Sequence, residues 1–129
     1  PESEQVKIAA RLRELPFCMQ VETHAGSIGI VHADVPFNDW DKTQANLHDK
    51  KARTFCMWSR KRLEASHDRI VRGVHAVVVG HTPLKKATLL GNVYHIDTKG
   101  WKPDEGGYFT LLDINTLQTF PIAEHLLRN

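Results

Sequence analysis

Two stretches of this chain share one design. Ile28-Gly29-Ile30-Val31-His32-Ala33-Asp34 is an apolar run that ends in a histidine, and Val77-Val78-Val79-Gly80-His81-Thr82-Pro83 is another. Each places an imidazole at the mouth of a buried strand, followed by a small or turn-forming residue. The strand fixes the ring and the loop leaves its outer nitrogen open, an arrangement suited to holding a metal ion. Imidazole is a good donor to Mn, Fe and Zn. The competing reading is two strand-end histidines with ordinary hydrogen-bonded rings. His32 and His81 lie 49 residues apart, so no local zinc motif joins them. A third feature is basic: Arg60 follows Trp58 closely on a helical stretch, with Arg53, Lys61 and Arg62 nearby. Arginine offers a planar fork that grips two phosphate oxygens at once. A solvated basic helix face is the competing reading for each member of that cluster.

These residues need elements to position them. Val6, Ile8, Ala9, Leu12 and Leu15 have near-helical spacing, which predicts an amphipathic helix over 4–15, ended by Pro16. Residues 17–23 and 28–32 read as a hairpin about a turn at His24–Ser27. A polar loop is expected from Ala33 to about Thr43, then one or two helices over 44–65. The apolar run 74–79 predicts a buried strand. Residues 86–90 and 92–96 flank Gly91-Asn92 as a second hairpin. A glycine-rich loop covers 97–107, a closing hairpin spans 108–121 about Asn115-Thr116, and 122–129 reads as a short helix or frayed end. Strands that end at histidines imply a mixed sheet with a site at the strand ends.

Composition sets the outer bounds. The 129 residues fit one domain, and 41% apolar with 25% charged residues is a globular composition. No apolar run approaches a membrane span, and the polar, acidic opening does not read as a signal peptide. A start at Pro1 rather than Met suggests a trimmed beginning. A net charge of +2 gives no argument for nucleic acid. Cys18 and Cys56 both sit in Phe-Cys-Met and read as reduced thiols, which points weakly to the cytoplasm. Of the remaining histidines, His75 and His95 read as structural, and His24, His48, His67 and His125 as surface residues. The three tryptophans read as core or rim packing. Asp34 is expected either to orient a ligand or to cap a turn.

Val31-His32-Ala33-Asp34-Val35-Pro36, Met57-Trp58-Ser59-Arg60-Lys61-Arg62, Val79-Gly80-His81-Thr82-Pro83 and His95-Ile96-Asp97-Thr98 occur in that order. Together, from about Leu15 to Asp113, they resemble the second half of the calcineurin-like metallophosphoesterases, in the branch of the phage-lambda and bacterial PrpA/PrpB-type (PPP) protein phosphatases. The resemblance implies an α/β (α+β) metallo-dependent phosphatase sandwich with flanking helices. Residues 1–129 would be the C-terminal part of that domain, without its N-terminal metal-binding half. It implies His32 and His81 as metal ligands, Arg60 as the phosphate contact, and two divalent ions, Mn first with Fe or Zn as alternatives. It implies hydrolysis of phosphoserine, phosphothreonine or phosphotyrosine in proteins by the parent protein, with these residues alone inactive. The implied partners are a phosphoprotein substrate and either an N-terminal half or a second copy of the chain. Neither nucleic acid nor membrane is expected. The family's Asp-x-His, Gly-Asp-x-x-Asp-Arg-Gly and Gly-Asn-His-Glu motifs do not occur here, and Asn38, Asp39, Asp41, Asn46 and Asp49 do not replace them. Lys99-Gly100-Trp101 also departs from the family pattern, and Lys99 is expected to face solvent. A non-catalytic binding module and a diadenosine polyphosphate hydrolase are the alternatives.

Overall fold

The computed structural model describes residues 2–126. It is a mixed α/β fold built on one five-stranded sheet. The elements are α1 (Glu2–Arg13), β1 (Cys18–Thr23), β2 (Gly26–Val31), α2 (Trp40–Ala45), α3 (Lys50–Trp58), α4 (Lys61–Glu64), β3 (Ala76–Val79), β4 (Thr88–Leu90), β5 (Val93–His95), β6 (Leu111–Leu112) and β7 (Thr119–Phe120). The sheet order is β1-β2-β3-β5-β4, and β6-β7 form a separate two-stranded ribbon. Strands β2, β3 and β5 run parallel in the middle, and antiparallel β1 and β4 form the edges. The expected tail helix is one 3-10 turn, Glu124–Leu126, and Leu127, Arg128 and Asn129 lie outside the described residues.

β3 is a continuous apolar run because both faces of the sheet are covered. Val77 and Val79 pack with Trp40 of α2 and Cys56 of α3. Ala76 and Val78 pack with Tyr94 and, through it, with Leu112, Ile114 and Leu117 around the β6-β7 ribbon. Every β3 residue is buried, as a central parallel strand requires. Gly29 on β2 lets the Trp40 ring lie against the sheet: a Cβ there would come within 2.6 Å of the ring. The indole then donates to Gln20 Oε1 at 2.7 Å, tying α2 to the β1-β2 hairpin.

The expected polar loop over 33–43 is cut short, because α2 begins at Trp40. Asp39 caps it, its carboxylate accepting from the Lys42 N–H at 2.9 Å, and Asp49 caps α3 through the Lys51 N–H. Each such cap stabilises its helix by about 1 kcal/mol. The helical stretch 44–65 is broken at Ser59-Arg60 into α3 and the single turn α4. Gly91 turns the β4-β5 hairpin at φ 63°, and Asn92 is buried beneath it. The Asn92 side chain accepts from the Val71 N–H and donates to the Val71 carbonyl, so that hairpin also anchors the chain leading into β3.

α1 forms as the spacing predicts, yet its apolar face has no cover among the described residues. Val6, Ile8 and Leu12 are each more than half exposed, as is Leu15 just beyond the helix, and Met19 on β1 is half exposed. β1 is itself an edge strand. An unpaired edge beside an apolar helix face is surface that a chain ordinarily covers.

Candidate functional site

The three parallel strands stop at one end of the sheet, and their following segments are laced together. The Gly80 N–H donates to the His32 carbonyl at 2.9 Å, Ile96 N–H to the Val79 carbonyl at 3.0 Å, and Leu84 N–H to the Asp97 carbonyl at 2.8 Å. His32, His81 and Asp97 therefore leave the sheet side by side. The Ala33 N–H also donates to the Cys56 carbonyl, which holds the end of α3 against the exit from β2.

His32 Nε2 lies 3.0 Å from His81 Nδ1, with the ring centroids 4.8 Å apart and the planes at 62°. One ring donates to the other if the proton sits between them. The same separation suits two lone pairs that converge on one cation. Nitrogens about 2.1 Å from a metal and at right angles to one another lie about 3 Å apart. That arrangement leaves the protons on His32 Nδ1 and His81 Nε2.

His81 stands in a strained backbone. Its φ is 66°, and the Thr82 N–H donates to the Gly80 carbonyl at 2.8 Å, closing a γ-turn on the histidine. Positive φ in such a turn is uncommon for a residue with a side chain and is tolerated where the surroundings impose it. The result aims the ring across at His32 rather than along the strand. Burial, then the charge of His32, then that of Arg60 push the His81 pKa down, against Asp97 and the Trp58 backbone, which raise it. The neutral ring is the form that donates to a metal.

Arg60 sits between α3 and α4, exposed, and close enough for its charge to reach His81. Trp58, the last residue of α3, stands edge-on to the His81 ring at 5.6 Å and 88°, with 70% of its surface exposed. The structure thus brings His32, His81 and Arg60 to one place.

Their neighbours divide differently from the sequence-based expectation. Arg62 is not part of a solvated basic face: it is 3% exposed, and its Nε donates to Asp34 Oδ1 at 3.1 Å. Its other nitrogens donate to the His67 and Arg69 carbonyls and to Asn38 Oδ1. Asp34 settles as this buried partner, also accepting from the Val35 and Arg62 N–H groups. Breaking such a buried pair by removing one member destabilises by about 3–5 kcal/mol. His67 is half-buried against Asn38 rather than free at the surface, and His75 is exposed at the entry to β3. His95 is buried as expected, but neither ring nitrogen has a hydrogen-bond partner among the described residues, and burial together with the nearby Arg62 charge lowers its pKa to about 4. Lys99 takes a left-handed backbone at φ 60°, its N–H donating to Asp97 Oδ1. Cys18 and Cys56 are free, and burial pushes the Cys56 thiol up to about 11.

Asp97 received no role from the sequence. Its place beside His81 depends on the parallel β3-β5 pairing, which the His95-Ile96-Asp97-Thr98 run alone does not disclose. Among the described residues no group of three or more His, Cys, Asp or Glu side chains converges as a metal cage. The donor pair therefore fits a metal as two ligands of a set that these residues do not complete. No helix among them is long and apolar enough to cross a membrane.

No protein-family model matches the chain. It is similar to Serine/threonine-protein phosphatase 1 of Salmonella typhimurium strain LT2, with 33% identity over 88 residues. The match covers 67% of this chain and 37% of the relative, so the chain spans little more than a third of the curated relative's length. The likeness is that of a distant, partial relative of a serine/threonine protein phosphatase.

Proposed function

We propose that this chain carries part of the active site of a di-metal phosphoprotein phosphatase, with His32 and His81 as ligands of one divalent ion and Arg60 as the substrate phosphate contact. The observation that carries the reading is the 3.0 Å convergence of His32 Nε2 and His81 Nδ1 with the Arg60 charge beside it. Ions held there, Mn first among the candidates, would supply Lewis acidity at the phosphate and an activated water. Each protein group then has a task. Neutral imidazoles leave the ion's positive charge undiminished. The guanidinium of Arg60 grips two phosphate oxygens and fixes the ester's orientation. Asp34 and Arg62 hold α4, and with it Arg60, against the loop that follows His32.

Two nitrogens do not make a di-metal centre, so further ligands come from another polypeptide segment. The open face of α1 and β1 supports that, because the apolar groove there includes His32 in its wall. The residues described here would be inactive without that segment, and the compartment proposed is the cytoplasm. The absence of a third donor among the described residues favours a second reading, a module that binds phosphate or a partner chain without catalysis.

Phosphopeptide hydrolysis with Mn²⁺ by the longer parent protein separates the two. The first reading predicts that His81→Ala and His32→Ala lower kcat/KM by roughly 100-fold or more, and that Arg60→Ala lowers it roughly 10- to 100-fold. Undiminished turnover in the His81→Ala parent would sink the catalytic reading. Turnover of p-nitrophenyl phosphate by the 129-residue chain alone would instead show that no added segment is needed.

A further inference from the structure

A groove of about 730 Å³ runs along the outer side of α3 and α4, starting beside Arg60. Phe55 and Trp58 form its apolar part, and Lys50, Lys51 and Lys61 stand around it. The Lys61 ammonium leans over the Phe55 ring, 5.8 Å from its centroid. Among the described residues Asp49 and Glu64 are the only lining carboxylates, against four cations counting Arg60. Asp49 is already engaged as the cap of α3, accepting from the Lys51 N–H at 3.0 Å.

Lysine is depleted from the sealed cores of protein interfaces, so a lysine-rimmed groove is a poor seat for an apolar protein face. Cations around an aromatic floor suit a ligand that is both acidic and apolar. The groove begins at Arg60, the proposed phosphate contact. We infer that it receives the segment flanking a phosphorylated residue in a peptide substrate, and that it selects acidic side chains next to an apolar one. This rests on the phosphatase reading, since Arg60 fixes where the phosphate lies.

The nine residues of α3 extend about 13 Å. An extended peptide covers that length in about four residues. Specificity is therefore confined to roughly four positions on one side of the phosphorylated residue. Acidic residues there pair with Lys50, Lys51 and Lys61, and an apolar residue lies on Phe55 and Trp58. Asp49 and Glu64 interrupt the basic rim, which fits a short acidic peptide better than a continuous phosphate backbone.

Fluorescence polarisation with the 129-residue chain and labelled phosphoserine peptides tests this. One peptide carries two glutamates and a leucine within four residues of the phosphoserine, and another carries alanines. The expected result is at least roughly fivefold tighter binding of the acidic peptide. That advantage should vanish in Lys51→Glu/Lys61→Glu and persist in a Lys7→Glu/Lys86→Glu control with the same net charge. It should also shrink as salt rises. Equal binding of the two peptides overturns the inference, as does an equal loss in the groove variant and the control. A single-stranded oligonucleotide that displaces the acidic peptide at equal concentration overturns it as well. Arg60→Ala separates the two ideas. If it leaves the phosphate without effect on affinity while the flank still matters, the groove stands. If wild-type affinity ignores the phosphate altogether, Arg60 is not the phosphate contact, and the inference that the groove flanks a phosphate fails with it. If phosphate matters and flanks do not, the groove fails alone.

Discussion

Two grooves flank the histidine pair, and they differ in charge. One, of about 580 Å³, is walled by Leu12, Leu15, Phe17, Met19, Ile30 and Met57, reaches His32, and has Arg13 as its one charged lining residue. The other starts at Arg60 and is rimmed by lysines. The first has the character of a domain core laid open, bordered by the free edge of β1. The second keeps its cations in water around a small aromatic floor. On the proposed reading, the first side meets the rest of a longer parent protein and the second a ligand that comes and goes.

The basic groove rests on the buried Arg62–Asp34 pair beneath α4, and the largest effect comes from removing it. Arg62→Ala leaves Asp34 as a buried, unpaired carboxylate and should destabilise the chain by about 3–5 kcal/mol in urea denaturation. The basic groove should lose its shape first, since Arg62 latches α4. A loss below about 1 kcal/mol would mean that α4 is held some other way.

The next effect is pH-dependent. The folded pKa of His95 is lowered from 6.5 to about 4, by burial first and then by the Arg62 charge. The unfolded chain takes up this proton below pH 6.5 while the folded chain does not until near pH 4, so stability falls as pH drops through that window. The full difference is about 3 kcal/mol. Above pH 6.5 His95 contributes no pH dependence. His95→Phe should flatten that part of the profile, measured as denaturation midpoints from pH 7 to 4. An unchanged profile would contradict the burial assigned to the ring.

The smallest effect on stability sharpens the contrast between the grooves most. Leu12→Glu lies in the open apolar groove and should change the stability of the 129-residue chain by no more than about 0.5 kcal/mol. In the longer parent protein proposed above, the same change should weaken the proposed covering contact. Hydrogen exchange of the two forms makes the same point. Amides of Cys18–Thr23 should exchange at least about tenfold more slowly in the parent than in the chain alone, and those of Lys50–Trp58 about equally in both. Protection of both segments would mean that the basic groove is also covered.

Much of the fold was legible. The apolar runs gave β2 and β3, and Gly91-Asn92 gave the β4-β5 hairpin, because central strands and tight turns have strong local signatures. α2 was missed because its start depends on Asp39 acting as a cap, and Asp39-Trp40-Asp41 reads equally well as a turn. Arg62 was misread because α4 is a single turn, too short for any periodicity to separate a buried arginine from its exposed neighbours Arg60 and Lys61. His32 and His81 could be paired in advance only through the resemblance, since the contact is made by parallel strands far apart in sequence. Asp97 depends on the same kind of long-range register.

The central claim is that His32 Nε2 and His81 Nδ1 act as a ready-made donor pair. Nitrogen-15 spectra of the eight imidazoles during a Zn²⁺ titration test it most directly. The account predicts that His32 Nε2 and His81 Nδ1 shift together, with protons fixed on His32 Nδ1 and His81 Nε2, and that His81→Ala abolishes the response at His32. Metal-induced shifts at other histidines, or an unchanged proton between the two rings at saturating Zn²⁺, would contradict it.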